Sequence, residues 1–593
     1  MKKLTILLLT IIMCLTAFGC KDNGGGKDDP PAGPSVFDLD NMNDIQTDVQ
    51  KEFDALQKKW FREDMESDYL NLHFSVENPA SMGITVPEVT LGEVEEDEDD
   101  TTYEDRLAEL EKFKLEDLTP DQQLMYKSMK FYFQLMVDAY KIEEDYTFIF
   151  TPNSGLNNNL ITNFTEFDIR CEQDAHDLIT LVKDSGRYID ECIDYTKEQA
   201  SKGIIQPNTV IDGILEQCER YISKVDDNEL IVVFNARMDE ANYADKAALK
   251  AEMVDAVKTV LIPGYQRIID MYKELRGQST KSGLLCDYGE DGKATYEILV
   301  RNKVSSTESI DSMIAKLEKA IDDVVKEIRR IYAEETEDYG YKELDEILKH
   351  LAESMTADYP PMPTVSYKVA YLDPSVTSEN VSAYYLIAPI DNINNNVIKV
   401  NPTFVEKDIN GLCITLAHEG FPGHLYQHTY YYANHPNNEY RSFLSFIGYA
   451  EGWAMYVENH AYNYFLDNEK EVEYMILNNL FSYYLYGYCD LQMHYNGWRS
   501  NQIKKYLENY IAASYAREYA TSIYESNLGD PAMFLPYSLG MYNMMELCET
   551  AQKELGDKFD LKEYNKVVLD TGEAPFDILN ERVNEYIKYK KAK

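Results

Sequence analysis

The chain has 593 residues, 44% of them hydrophobic, and a formal net charge of −47 from 57 basic and 104 acidic side chains. That length exceeds one compact core and fits two or three lobes, and that hydrophobic share excludes wholesale disorder. The acidity argues against nucleic acid and against an anionic membrane surface as partners, because both demand a basic face.

The N-terminus reads as an export signal. Met1-Lys2-Lys3 is a short positive region, Leu4 to Phe18 is apolar, and Gly19-Cys20 precedes a polar run. The apolar stretch is short for a comfortable membrane span and has signal-peptide length. A small residue before Cys20 resembles a lipoprotein processing site, with Cys20 as the lipidated first residue and a lipid anchor to the membrane. Ala17 stands where such sites more often carry Leu. Residues 21–36, rich in Gly, Asp and Pro, form a flexible tether. The later cysteines, Cys171, Cys192, Cys218, Cys286, Cys413, Cys489 and Cys548, are odd in number and scattered. They suggest neither a disulfide framework nor a thiolate metal site, and most read as buried small hydrophobes.

Helical periodicity then dominates. Amphipathic helices are predicted over Ile45 to Asp64, Asp121 to Ile142, Glu172 to Ser201, Pro207 to Val225, Lys246 to Arg276 and Ser306 to Glu337. Glu93 to Asp100 holds seven acidic residues in eight positions but lacks the turn glycines of a calcium loop, so it reads as a solvated loop. The pattern stops around Tyr359-Pro360-Pro361. Short strands are predicted at Tyr384 to Ala388 and Val397 to Val400, and helices resume near Asp408. The divisions are 1–20 signal, 21–36 tether, 37–360 helical N-terminal lobe and 361–593 catalytic lobe.

Four of the nine histidines, His418, His424, His428 and His435, fall within eighteen positions. A helix from Asn410 to Phe421 places His418-Glu419 near its C-terminal end. Two imidazoles on one metal with a neighbouring carboxylate base is the zincin arrangement, normally with the histidines one turn apart. Here His424 lies six positions on, which puts the two side chains about 120° apart on an ideal helix. Pro422-Gly423 between them supplies a deformation, read as a widened turn. The pair His424 and His428 has undistorted spacing, but Leu425 stands where the base belongs. His435, between Asn434 and Pro436, reads as a solvated loop residue.

Glu451 and Glu458 lie seven apart on one face of a following helix. Glu451 is expected as the third ligand, with Gly452 giving room against the first helix, and Glu458 as the carboxylate orienting a histidine. Two His and one Glu leave a coordination position open, as catalytic zinc requires, and Glu419 serves as general base. The donor atoms of His418, His424 and Glu451 should then converge within about 4 Å, as metal–ligand distances near 2 Å demand.

These residues carry a family resemblance. His418-Glu419-Gly420-Phe421-Pro422-Gly423-His424 resembles the signature of the bacterial domain of unknown function 885, a His-Glu, two variable residues and Pro-Gly-His. The similarity extends through Glu451 to Ala454, through Asp490, His494, Gly497 and Trp498, through Tyr537 and Gly540, and through Leu555 to Asp560. Weaker likeness reaches Gly203 to Pro207 and Tyr296. The resemblance implies a mainly α, multi-helix, zincin-like metallopeptidase fold with a small β-sheet beside the active-site helix and a narrow cleft. It favours His424 over His428. Three departures bear on activity: Pro531-Ala532-Met533 where many members have Pro-Gly-Gln, Cys548 near a common Arg, and Asn565 at a common His.

His494 and Tyr537 are the remaining candidates for oxyanion donors. The strand Val397 to Val400 is a candidate edge for an extended peptide, by analogy with zincins. The functional expectation is an exported, lipid-anchored, Zn2+-dependent hydrolase of a peptide or related amide. An inactive zincin-like lipoprotein that binds peptides or envelope components, and a metal-dependent hydrolase of non-peptide amides or esters, are the alternatives.

Overall fold

The computed structural model describes residues 46–94, 101–331, 339–372, 381–436 and 438–593. The signal segment, Cys20, the tether and positions 95–100 of the acidic run lie outside the described residues. Among the described residues, no helix is long and apolar enough to cross a membrane.

The chain is mainly helical with one small sheet. Local sequence explains where the helices begin. Asp48–Ser67 opens at Thr47, whose hydroxyl accepts from the Gln50 N–H while the Gln50 side chain accepts from the Thr47 N–H. Thr119 and Gln122 repeat the device at Pro120–Tyr140. Glu172–Ser201 has its expected bounds, and Asn208–Ser223 starts directly after Pro207. The segment expected as one helix from Lys246 to Arg276 contains a π-turn, Val257–Leu261, between Lys246–Ala256 and Ile262–Leu275. The wider turn lies immediately before Pro263, whose ring has no N–H to give to the preceding turn. The helix predicted from Ser306 to Glu337 is shorter, Ile310–Ile328, and residues 332–338 lie outside the described residues.

Three strands form the sheet: β1 (Tyr367–Tyr371), β2 (Ala383–Leu386) and β3 (Asn396–Val400), in the order β1-β3-β2. β1 runs parallel to β3, with Tyr367 opposite Asn396, and β2 runs antiparallel to it, with Ala383 opposite Val400. β1 escaped the sequence reading because only one of its five residues is β-branched. The strand Val397 to Val400 is therefore the centre of the sheet, hydrogen-bonded on both sides, and it has no edge to offer a peptide.

Two large apolar clusters hold the molecule, and each draws on both sides of residue 360. One packs Leu178, Ile211 and Ile268 with Leu485, Leu491 and Leu539. The other packs Trp60 and Phe133 with Leu416, Trp453 and Leu579. The sheet lies between them, and its two-residue period sorts its side chains. Val397 and Leu386 join the first cluster, while Ile398, Val400, Ala383 and Tyr385 join the second. Lys399 shares the first face. Its ammonium sits 3.1 Å from Glu166, which also accepts from the Tyr384 hydroxyl at 3.0 Å.

Candidate metal centre

The helix carrying the first histidine spans Ile409–Glu419. Asp408 caps it by accepting from the Gly411 N–H, and Leu412, Cys413, Leu416 and Ala417 bury its inner face. It ends at Glu419, two residues earlier than expected. A second helix, His424–Asn434, starts on the other histidine. The break between the two is complete, where the sequence suggested only a widened turn. Gly423 makes the junction possible, since a Cβ there would lie 1.7 Å from the His418 carbonyl oxygen. The Trp453 indole N–H donates to the Pro422 carbonyl at 3.0 Å and ties the junction to the helix Ile447–Phe465.

That helix presents Glu451 and Glu458. Glu451 Oε2 lies 3.4 Å from His418 Nε2 and 3.5 Å from His424 Nε2. Spacings of this size suit donors that share one tetrahedral ion with bonds near 2 Å. All three donor atoms lie within 4.8 Å of one another, somewhat wider than the expected 4 Å, and this is the metal-capable His/Cys/Asp/Glu group found among the described residues. The two imidazoles stand nearly perpendicular, at 82°. His418 Nδ1 donates to Glu458 Oε2 at 2.9 Å, and Glu458 Oε1 accepts from Asn479 at 2.9 Å. Glu458 thus fixes the His418 tautomer with Nε2 turned toward Glu451.

The electrostatics fit a cation. Glu451 Oε2 is buried and has no hydrogen-bond partner despite the two nearby nitrogens. Burial disfavours charge on His418, but Glu451 and Glu458 outweigh it and raise the imidazole well above its ordinary range. At His424 burial is likewise outweighed, by Glu451. Burial would raise Glu451 too, yet the two imidazoles hold it well below the usual carboxylate range. Such mutual stabilisation marks two nitrogens and one oxygen gathered where a positive charge is wanted. The set of two imidazoles and one carboxylate matches zinc-type donor chemistry.

Glu419 is buried beside this group. Burial raises its carboxyl, opposed by His418 and His424. Its Oε2 accepts from the Tyr385 N–H at 2.8 Å. Tyr385 lies on β2, so the outer edge of β2, rather than β3, faces the site. Tyr537 stands on a π-turn, Pro536–Gly540, with its hydroxyl beside Glu451. Gly452 brings it there: a Cβ on Gly452 would lie 2.6 Å from the Gly540 backbone. The sequence suggested that Gly452 made room for the His418 helix, but its close neighbour is the Tyr537 turn.

Other expectations change. His494 is fully buried away from the cluster. Its Nδ1 accepts from the Leu285 N–H at 3.3 Å and its Nε2 donates to the Asn527 carbonyl at 3.0 Å. Neither nitrogen is left for an oxyanion. His428 Nε2 donates to the Ala388 carbonyl at 3.1 Å, which removes the His424/His428 pair as an alternative. His435 is half-buried and stacks on Tyr431, not solvated. Cys548 and Asn565 both take the Tyr456 hydroxyl, at 3.6 and 3.1 Å, so these departures form one buried network apart from the three donor residues. Ala532 holds φ +64°, a conformation that favours the glycine common in the resembled motif.

Sequence reasoning missed Tyr385, whose backbone rather than side chain acts. It also missed Tyr483, which stacks on Tyr537 at 6.1 Å, and Glu573, which accepts from the Phe446 N–H at the start of the Glu451 helix. No spacing in the sequence signals any of the three.

A mainly helical fold with a half-buried His–His–Glu group is the class this architecture defines. The chain belongs to the family described as bacterial protein of unknown function (DUF885), whose model matches residues 85–362 and 334–583. The crystal structure of the putative lipoprotein from Colwellia psychrerythraea is similar over 91% of this chain and 99% of its own, with TM-score 0.73 and 18% identity. A putative lipoprotein of unknown function from Shewanella oneidensis is similar over 89% of this chain and 99% of its own, with TM-score 0.58 and 16% identity. At those identities the likeness shows the fold. No curated protein matches the chain.

Proposed function

We propose that this chain is an exported, lipid-anchored, zinc-dependent hydrolase of a peptide or related amide, with a zincin-like site. The observation that carries the reading is the orphaned Glu451 Oε2 between two imidazoles, with Glu419 buried alongside. His418, His424 and Glu451 would hold the ion, and Glu458 would orient His418. When bound, zinc would supply Lewis acidity to a carbonyl and to water.

The chain's own residues supply the rest. Glu419 takes a proton from the attacking water and returns it to the leaving amine. The Tyr385 N–H holds that carboxylate at the sheet edge, so base and edge are one unit. An extended substrate laid along the outer edge of β2 would run past Glu419. The Tyr537 hydroxyl would donate to a developing oxyanion. Cys20 would carry the lipid, in keeping with the lipoprotein descriptions of both similar structures.

The test is Glu419→Gln in zinc-loaded protein, assayed against a peptide library. Retained zinc with turnover reduced by about a thousandfold or more supports the reading. Zinc-loaded wild type that binds peptides without cleaving any would replace it with the binding lipoprotein. Cleavage confined to esters or non-peptide amides would replace it with the third alternative. Loss of fatty-acid labelling in Cys20→Ala tests the anchor.

A further inference from the structure

The helix Gly289–Val304, far from the His-Glu motif in sequence, ends against the helix that carries Glu451. A Cβ on Gly448 would lie 2.2 Å from the Val304 carbonyl oxygen, and the Gly448 N–H donates to Ser305 Oγ at 3.3 Å. Ser305 takes a left-handed turn and accepts from the Phe576 N–H. This helix end is fixed from three sides, and Lys303 belongs to its last turn.

The charges of Glu451 and Asp530 both act on the Lys303 ammonium. Among the described residues it has no hydrogen bond and no ion pair. Its neighbours on the same stretch differ: Arg301 pairs with Asp138 at 3.0 Å and Lys316 with Glu308 at 2.9 Å. The two carboxylates facing Lys303 are already engaged. Asp530 accepts from the Thr151 hydroxyl, the Asn153 N–H and side chain, and the Ser154 N–H and hydroxyl. Glu451 faces the two imidazoles and the Tyr537 hydroxyl. Burial pushes the Lys303 ammonium down to about 8, against the pull of those carboxylates. A half-buried ammonium that forms no ion pair still carries a desolvation cost, and an anion arriving with a ligand offsets it.

We infer that Lys303 is a specificity-determining residue that receives a carboxylate of the substrate. The inference rests on the hydrolase reading for the scissile bond, and it defines the substrate as a peptide with a carboxylate close to that bond. The carboxylate comes from a free C-terminus or from an acidic side chain.

Three probes separate those sources: acetyl-dialanine, acetyl-dialanine amide and acetyl-Ala-Glu amide. Binding to the zinc-loaded full chain is measured by calorimetry on the Glu419→Gln background, where hydrolysis does not interfere. The free acid or the Glu amide is expected to bind at least tenfold tighter than the neutral amide. Lys303→Met should bring that probe down to the neutral amide, and Lys303→Arg should restore most of the difference. Equal affinities for all three probes overturn the proposal. So does Lys303→Met weakening every probe alike, the signature of a residue that only supports Glu451. Lys303→Gln serves if the Met variant melts early. Absence of turnover in the wild type with the carboxylate preference intact would overturn the hydrolase reading and leave the Lys303 assignment standing.

Discussion

Two buried polar clusters sit on successive helices and differ in one respect. Around His494 and Asp490 the two titratable side chains are both matched. Both His494 nitrogens are taken, and Asp490 accepts from the Tyr296 hydroxyl and from the Ala532 N–H. Around His418, His424 and Glu451 the donors and acceptors converge but do not close, leaving Glu451 Oε2 without a hydrogen bond. A closed cluster lowers the energy of the chain that holds it. An open one is stable only if something else completes it, because an unmatched buried polar atom costs about 1–3 kcal/mol. That contrast separates a structural histidine from a candidate ligand, although both stood in the sequence as candidates.

The largest effect should come from removing the open acceptor. Glu451→Gln is expected to weaken zinc binding on the order of a thousandfold, ~4 kcal/mol at 1.4 kcal/mol per decade. Competition with a chelating dye measures it. Unchanged affinity would erase the distinction between the clusters.

The second prediction concerns the closed cluster. Burial pushes His494 down to about 4, so the fold holds it neutral. Its depressed value means the stability it contributes is present above pH 6.5 and is lost as pH falls through 4, by ~3 kcal/mol over that window. Asp490 acts in the opposite sense, because burial raises it to about 7 and its contribution fades as pH rises through that value. His494→Leu should leave the Leu285 N–H and the Asn527 carbonyl unmatched, cost about 3 kcal/mol and flatten the acid limb. Denaturant midpoints from pH 4 to 8 read both, and zinc stoichiometry should be unchanged.

Gly452→Ala comes next. The new methyl meets the Gly540 backbone and must push the Tyr537 turn away, at about 1–3 kcal/mol. Turnover should fall about tenfold or more as the hydroxyl leaves Glu451, with zinc retained. The smallest effect is a gain. Ala532→Gly relieves a left-handed backbone and should stabilise by about 0.5–1 kcal/mol, read from the thermal midpoint. A loss there would mean that the buried Ala532 methyl outweighs the strain.

Much of the candidate centre was legible in sequence. The His-Glu pair, the breaker after it and two glutamates seven apart are local features, and helical geometry alone says which can share a face. The strands at 384 and 397 were also legible, being rich in β-branched and aromatic residues. Which strand was the edge was not, because strand order depends on pairing across distance.

What the sequence determined by itself was the material: helices from their periodicity and caps, the candidate donor residues, and a deformation between His418 and His424 where a regular α-helix could not bring both to one ion. What only the tertiary structure decided was convergence. Gly448 and Gly452 let one helix approach the Lys303 helix end and the Tyr537 turn, and β2 offers a backbone N–H to Glu419. Those contacts join segments 34 to 144 residues apart, and no periodicity along the chain encodes a distance through space.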